Sequence, residues 1–144
     1  MSDNEFIKIR DKFNELLKLE EALNGDKFGE WVVDNKHKGT KEDPIHLPFP
    51  NYTEAVCKFT EAVYNFIENN PDYNLYNYSE ILEQKGYNHI DIKTIDVSNM
   101  DDKCIMALLV YLVRGERFCD GLILSAFEAG TVQKCLKRLK EIQA

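Results

Sequence analysis

The stretch CIMALLVYLV, residues 104–113, is an unbroken apolar run that leads directly into RGERFCDG, residues 114–121. It is about half the roughly 20 residues that cross a bilayer, so it belongs in a protein core rather than a membrane. A helix that is apolar on every side must be covered on every side. The run is therefore the expected central helix of a mainly α fold, opening near Asn99 behind a Ser98–Asp101 capping-box spacing and ending near Cys119.

Working outward, amphipathic segments suited to covering that helix lie on both sides of it. Ser2 and Glu5 have capping-box spacing, and Phe6, Ile9, Phe13, Leu16, Leu17 and Leu23 follow at helical intervals, predicting a first helix that ends near Asn24-Gly25. Val56, Phe59, Val63, Phe66 and Ile67 predict a second, from Thr53 to the Asn70-Pro71 stop. The stretch YSEILEQK predicts a short helix capped at Asn77 and ended by Gly86, and Ile90 to Ile95 reads as a connector. After the central run, Leu122 to Phe127 predict a short helix closed by Gly130. Thr131 is the expected cap of a last helix with Val132, Cys135, Leu136, Leu139 and Ile142 on its apolar face.

Between the first two helices, FGEWVVDNKHKGTKEDPIHLPFPNY holds the single Trp and three of the four prolines. A small β-hairpin, Trp31 to Val33 against His46 to Phe49, is expected there, with Pro48 confining the second strand to an edge. The predicted architecture is one domain over residues 1–144: five or six helices around a central hydrophobic helix, with a hairpin-like insertion at about residues 28–50.

Composition narrows function by exclusion. A formal charge of -7 argues against nucleic-acid binding, which rests on Lys and Arg contacts to phosphates. No membrane association is expected. The N-terminus MSDNEFIKIRDKF is charged from its third residue and does not read as a secretory signal, so a cytoplasmic location is expected. Cys57, Cys104, Cys119 and Cys135 form no CxxC pair and read as reduced thiols packed as small hydrophobes.

The charges in RGERFCDG need more than local physics. Arginines in a last helical turn are favoured by the helix dipole, and Gly121 suits the residue that ends the helix. If the helix continues, Arg114, Arg117 and Phe118 share one side, with Glu116 and Asp120 on the other. Two neighbouring arginines repel and require an anion. Three readings stand: carboxylates of the same chain, with Glu30 and Glu128 the first candidates, a bound phosphate or carboxylate held by the planar guanidinium forks, or charge left in solvent.

Phe28-Gly29-Glu30-Trp31, Pro48-Phe49 before the second long helix, Arg117-Phe118-Cys119-Asp120-Gly121, and Phe127-Glu128-Ala129-Gly130 followed by Thr131 occur in an order and spacing that resembles the domain of unknown function 6508 family, from about Phe28 to Ile142. The resemblance implies a shared fold among small, mostly bacterial proteins and no assigned reaction. Gly115 departs from the expected pattern, where a better helix former such as Ala would continue the helix.

The remaining constellations read more simply as structure. Cys119 beside Arg117 could be an activated thiol, but His37, His46 and His89 are distant in sequence. Cys104, Cys119 and Cys135 lack metal-ligand spacing, so neither a metal nor a cofactor is expected. The acidic pairs Asp101-Asp102 and Glu20-Glu21 suit helix starts and solvated faces. Lys134, Lys137, Arg138 and Lys140 form a basic face that reads as solvated, since the opposite face is needed by the core. The Tyr- and Asn-rich stretch NNPDYNLYNY is either an exposed aromatic surface or the edge of the core.

The functional expectation is a non-enzymatic binding module for a protein partner or an anionic small molecule. Its candidate site is Glu30, Trp31, Arg114, Glu116, Arg117 and Asp120, with arginines as anion clamp and Trp31 as a stacking surface. The alternative is a small enzyme using Glu116 or Glu30 as general base on an anionic substrate.

Overall fold

The computed structural model describes residues 12–21, 23, 27–45, 47–74, 76–87 and 90–143. The expected cap at Ser2 and Glu5, the apolar positions Phe6 and Ile9, the Asn24-Gly25 stop, His46 and His89 lie outside them. Among the described residues the elements are α1 (Asn14–Leu17), β1 (Gly29–Val32), β2 (Phe49–Tyr52), α2 (Glu54–Asn69), a 3-10 turn (Pro71–Tyr73), α3 (Tyr78–Gln84), α4 (Asp102–Gly115), α5 (Leu122–Glu128) and α6 (Thr131–Gln143). The chain is a mainly helical compact domain with a two-stranded hairpin, as its apolar patterning predicts.

Helix α4 is the centre. Its residues Cys104 to Val110, Leu112 and Val113 are buried, and α2, α3, α5 and α6 all pack against it. The helix begins later than the capping box suggests. Asp101, not Ser98, is its N-cap, accepting from the Cys104 N–H at 2.8 Å, while the Ser98 hydroxyl donates to Asp96. It also stops at Gly115 rather than near Cys119, because the chain folds back so tightly that a Cβ at Gly115 would lie 2.6 Å from Leu122 Cδ2. The glycine that looked out of place in a helix interior therefore marks the end of one.

The covering helices bury the faces their spacing assigns. Val56, Phe59, Val63, Phe66 and Ile67 of α2 are in the core, as are Val132, Cys135, Leu136 and Leu139 of α6. Among the described residues of the first amphipathic segment, Phe13, Leu16 and Leu23 are buried, and α1 (Asn14–Leu17) passes into tighter turns. Thr131 is not a side-chain cap. It is the first residue of α6, buried, and donates its hydroxyl to the Ile92 carbonyl, tying the connector to the last helix. Cys104 and Cys135 are packed thiols, whereas Cys57 and Cys119 are exposed, contrary to the expectation for all four.

The hairpin is present in a different register. Gly29–Val32 pairs antiparallel with Phe49–Tyr52, setting Trp31 opposite Pro50 and Val32 opposite Phe49, so Val33 falls outside the strand. Pairing moves towards the helix because Thr53 N–H donates to the Phe28 carbonyl, which makes Phe28 and Thr53 a hydrogen-bonded pair. By alternation Trp31 and Pro50 form a non-hydrogen-bonded pair, where proline's missing N–H costs nothing.

Candidate functional site

The segment after α4 is organised around one carboxylate. Glu116 Oε1 accepts from the Tyr52 hydroxyl at 2.8 Å and from the Ile123 N–H at 2.8 Å, and its Oε2 accepts from the Gly121 N–H at 2.8 Å. The Tyr52 hydroxyl in turn accepts from the Leu124 N–H at 3.2 Å. Helix α5 starts at Leu122, so these are among the amide groups that a helix start leaves without intrahelical partners. Glu116 and Tyr52 together cap α5, and a negative charge there is also favoured by the dipole. Burial, and then the neighbouring Glu116 carboxylate, hold the Tyr52 hydroxyl above the ordinary tyrosine range.

Gly121 completes the joint. Its φ of 91° lies in the left-handed region, and a Cβ there would meet the Trp31 ring, 3.0 Å from Cη2 and closer still to Cζ2. The ring of Trp31 thus lies on the backbone at the signature's glycine. The hairpin is fixed to the end of the central helix through two contacts, Tyr52 with Glu116 and Trp31 with Gly121.

The other sequence candidates are distributed around this joint. Arg114 forms no ion pair with an acid among the described residues: it donates to Asn74 Oδ1 at 3.0 Å and lies over the Tyr76 ring, 4.6 Å from its centroid. Glu30 faces Lys27 at 3.3 Å, and neither it nor Glu128 forms an ion pair with an arginine among the described residues. Arg117, Phe118, Cys119 and Asp120 are exposed in the turn, Phe118 to 89%. The structure therefore brings Trp31 and Glu116 to one joint, places Glu30, Arg117 and Asp120 on the surrounding surface, and directs Arg114 to the Asn- and Tyr-rich stretch. That stretch divides, with Tyr73 buried against Phe13 and Phe66 and Tyr76 exposed. No group of three His, Cys, Asp or Glu side chains among the described residues is placed to hold a metal ion.

The most unusual surface lies on the hairpin itself. Among the described residues eight large hydrophobics are exposed, and six of them, Trp31, Val32, Val33, Ile45, Leu47 and Phe49, fall within residues 31–49. Val32, Val33, Leu47 and Phe49 line one part of a groove of about 300 Å³ whose remaining lining is the Asp34–His37 turn. That turn is held by its own polar groups: Asp34 Oδ1 accepts from the Lys36 and His37 N–H groups, and Oδ2 lies 2.7 Å from His37 Nδ1. Lys27, Lys36, Lys38 and Lys41 balance Glu30, Asp34, Glu42 and Asp43, so residues 27–52 are neutral in a chain of charge -7. Sequence reading missed the apolar residues beyond Trp31, although WVV already signals a hairpin apolar on both faces when a core can cover only one.

A family model described as a family of unknown function, DUF6508, matches residues 10–144. The chain belongs to that family. No curated protein and no solved structure matches it. Membership extends over both halves of the joint, the hairpin strands and the 114–121 turn. Among the described residues no helix is long and apolar enough to cross a membrane.

Proposed function

We propose that the protein is a non-enzymatic interaction module whose hairpin docks a partner protein through an apolar surface of no net charge. The observation that carries this reading is the concentration of six exposed large hydrophobics in residues 31–49. Apolar side chains brought together on a surface are a cost in water that burial against a partner removes. The eight charges of residues 27–52 balance, so no net field there favours a highly charged ligand over an apolar protein surface. Val32, Val33, Leu47 and Phe49 line one groove of that surface, and Trp31, on the opposite face of β1, is seated on Gly121 beside the exposed Arg117–Asp120 turn.

An anion clamp built on both arginines is less well supported, since Arg114 is engaged by Asn74 and Tyr76. The enzymatic alternative is likewise less well supported. A general base must face its substrate, and both Glu116 oxygens are occupied by donors of the fold.

The test is capture with the folded protein beside Leu47→Asp and Phe49→Asp variants. A captured protein is then purified and its binding measured directly. Loss of roughly tenfold or more in affinity for either variant, with unchanged circular dichroism, is the expected outcome. Equal binding by all three proteins would refute the reading.

A further inference from the structure

A second groove, of about 400 Å³, lies between the connector at residues 94–98 and the outer face of α6. One wall carries Lys134, Lys137 and Arg138; the other is formed by Thr94 to Ser98. Lys134 and Arg138 are four residues apart on one helical face, and Lys137 is three from Lys134, so three like charges are held as neighbours that repel one another. The helix dipole does not account for Lys134, because its N–H bonds to the Gly130 carbonyl in the first turn of α6, the end at which cations are disfavoured.

The acids nearby neutralise the cluster only in part: Asp96 and Glu141 line the same groove, and Asp96 and Lys134 attract one another. Asp96 Oδ1 accepts from the Ser98 N–H and hydroxyl, and Glu141 reaches only Arg138, at 3.3 Å. Lys134 and Lys137 make no ion pair among the described residues. Across α6 four cations stand against one acid in a chain of net charge -7. Arg138 is also oriented in advance: its Nε donates to the Met100 carbonyl at 2.8 Å, which fixes the plane of the guanidinium at the groove.

We propose that this groove binds a small organic phosphate. Two lysines and an oriented arginine stand against the two carboxylates Asp96 and Glu141 in this lining, which leaves one net positive charge and three cationic donors for the three acceptor oxygens of a phosphoryl group. Ile95 and Val97 in the facing wall supply apolar contact for the organic part of the ligand. The Thr94 and Ser98 hydroxyls lie along the same wall.

Phenyl phosphate and inorganic phosphate serve as probes, titrated into isotope-labelled protein at low ionic strength and followed by amide chemical shifts. The expected result is saturable perturbation at residues 94–98 and 134–141, with phenyl phosphate binding more tightly than inorganic phosphate. Lys134→Glu with Lys137→Glu, two exposed positions whose change leaves the fold intact, should weaken it by roughly tenfold or more. Arg138→Lys should weaken it while leaving thermal stability close to that of the original. No perturbation of these residues by about 10 mM phenyl phosphate, where even a millimolar complex is mostly formed, would overturn the proposal. Equal binding by the lysine variant would also overturn it, as would inorganic phosphate binding as tightly as the phenyl ester.

Discussion

Replacing Glu116 by alanine tests the joint most sharply. The change removes one carboxylate that accepts from Tyr52, Gly121 and Ile123 and leaves all three donors without it. Hydrogen bonds to a charged group contribute about 1.5–3 kcal/mol each, and water reaching this half-buried site recovers a large part, so a net loss of about 3 kcal/mol is expected. For a chain of this size that corresponds to a fall in Tm of about 10 °C. Glu116→Gln keeps one acceptor oxygen but turns an amide N–H₂ towards a donor, and should lose about half as much. Tyr52→Phe removes the donor to Glu116 and the acceptor for Leu124. Combined with Glu116→Ala it should be less than additive, with coupling of about 1 kcal/mol. Thermal unfolding by circular dichroism gives the energies, and emission from the single Trp, seated on Gly121, reports whether the hairpin has lifted. A Glu116→Ala protein melting within about 2 °C of the original, with unchanged emission, would refute the reasoning.

Four further outcomes are expected. Gly121→Ala should cost more than Gly130→Ala: both have positive φ, a strain of about 1–2 kcal/mol, but only at Gly121 does the new Cβ meet Trp31. Adding Trp31→Ala should recover the difference in a urea-melt cycle. Arg117→Ala should change stability by less than about 0.5 kcal/mol, since the side chain is exposed, whereas Arg114→Ala should lose about 1–2 kcal/mol with its Asn74 bond and Tyr76 contact; paired urea melts distinguish them. Asp101→Ala should cost about 1 kcal/mol by removing the cap of α4, again read from urea melts. Burial pushes the Cys135 thiol up to about 12 from 9.0, so its contribution is complete below pH 9 and is lost as pH rises towards 12. In that window it should steepen the decline by about 1.4 kcal/mol per pH unit, and Cys135→Ala should flatten the slope in urea melts at pH 8, 9 and 10.

The central helix and its covering faces were legible because burial on every side leaves a continuous apolar run, and burial on one side leaves a 3.6-residue period. Details depending on a single competing bond were not. Ser98 and Asp101 have equally plausible capping chemistry, and only the Asp96 carboxylate beside Ser98 decides between them. The hairpin register depended on pairing at Phe28 and Thr53, residues that look like loop and cap in isolation. In RGERFCDG the need for a structural role was readable but its agent was not. The arginines are conspicuous because their charge needs a partner, whereas Glu116 works by accepting backbone amides that no side-chain pattern reveals. The exposed apolar hairpin was legible in part, through Trp31, and Leu47 and Phe49 were hidden among prolines that mark a turn.

Photo-crosslinking in cells tests the docking surface most directly. A photoreactive residue is placed at Leu47, 82% exposed on the hairpin, and at Lys58, an exposed residue of α2, as the comparison. The account predicts one reproducible protein adduct from position 47, absent from position 58 and lost when Phe49→Asp is added. Adducts of the same kind from both positions, or none from position 47 in the protein's own cell, would contradict it.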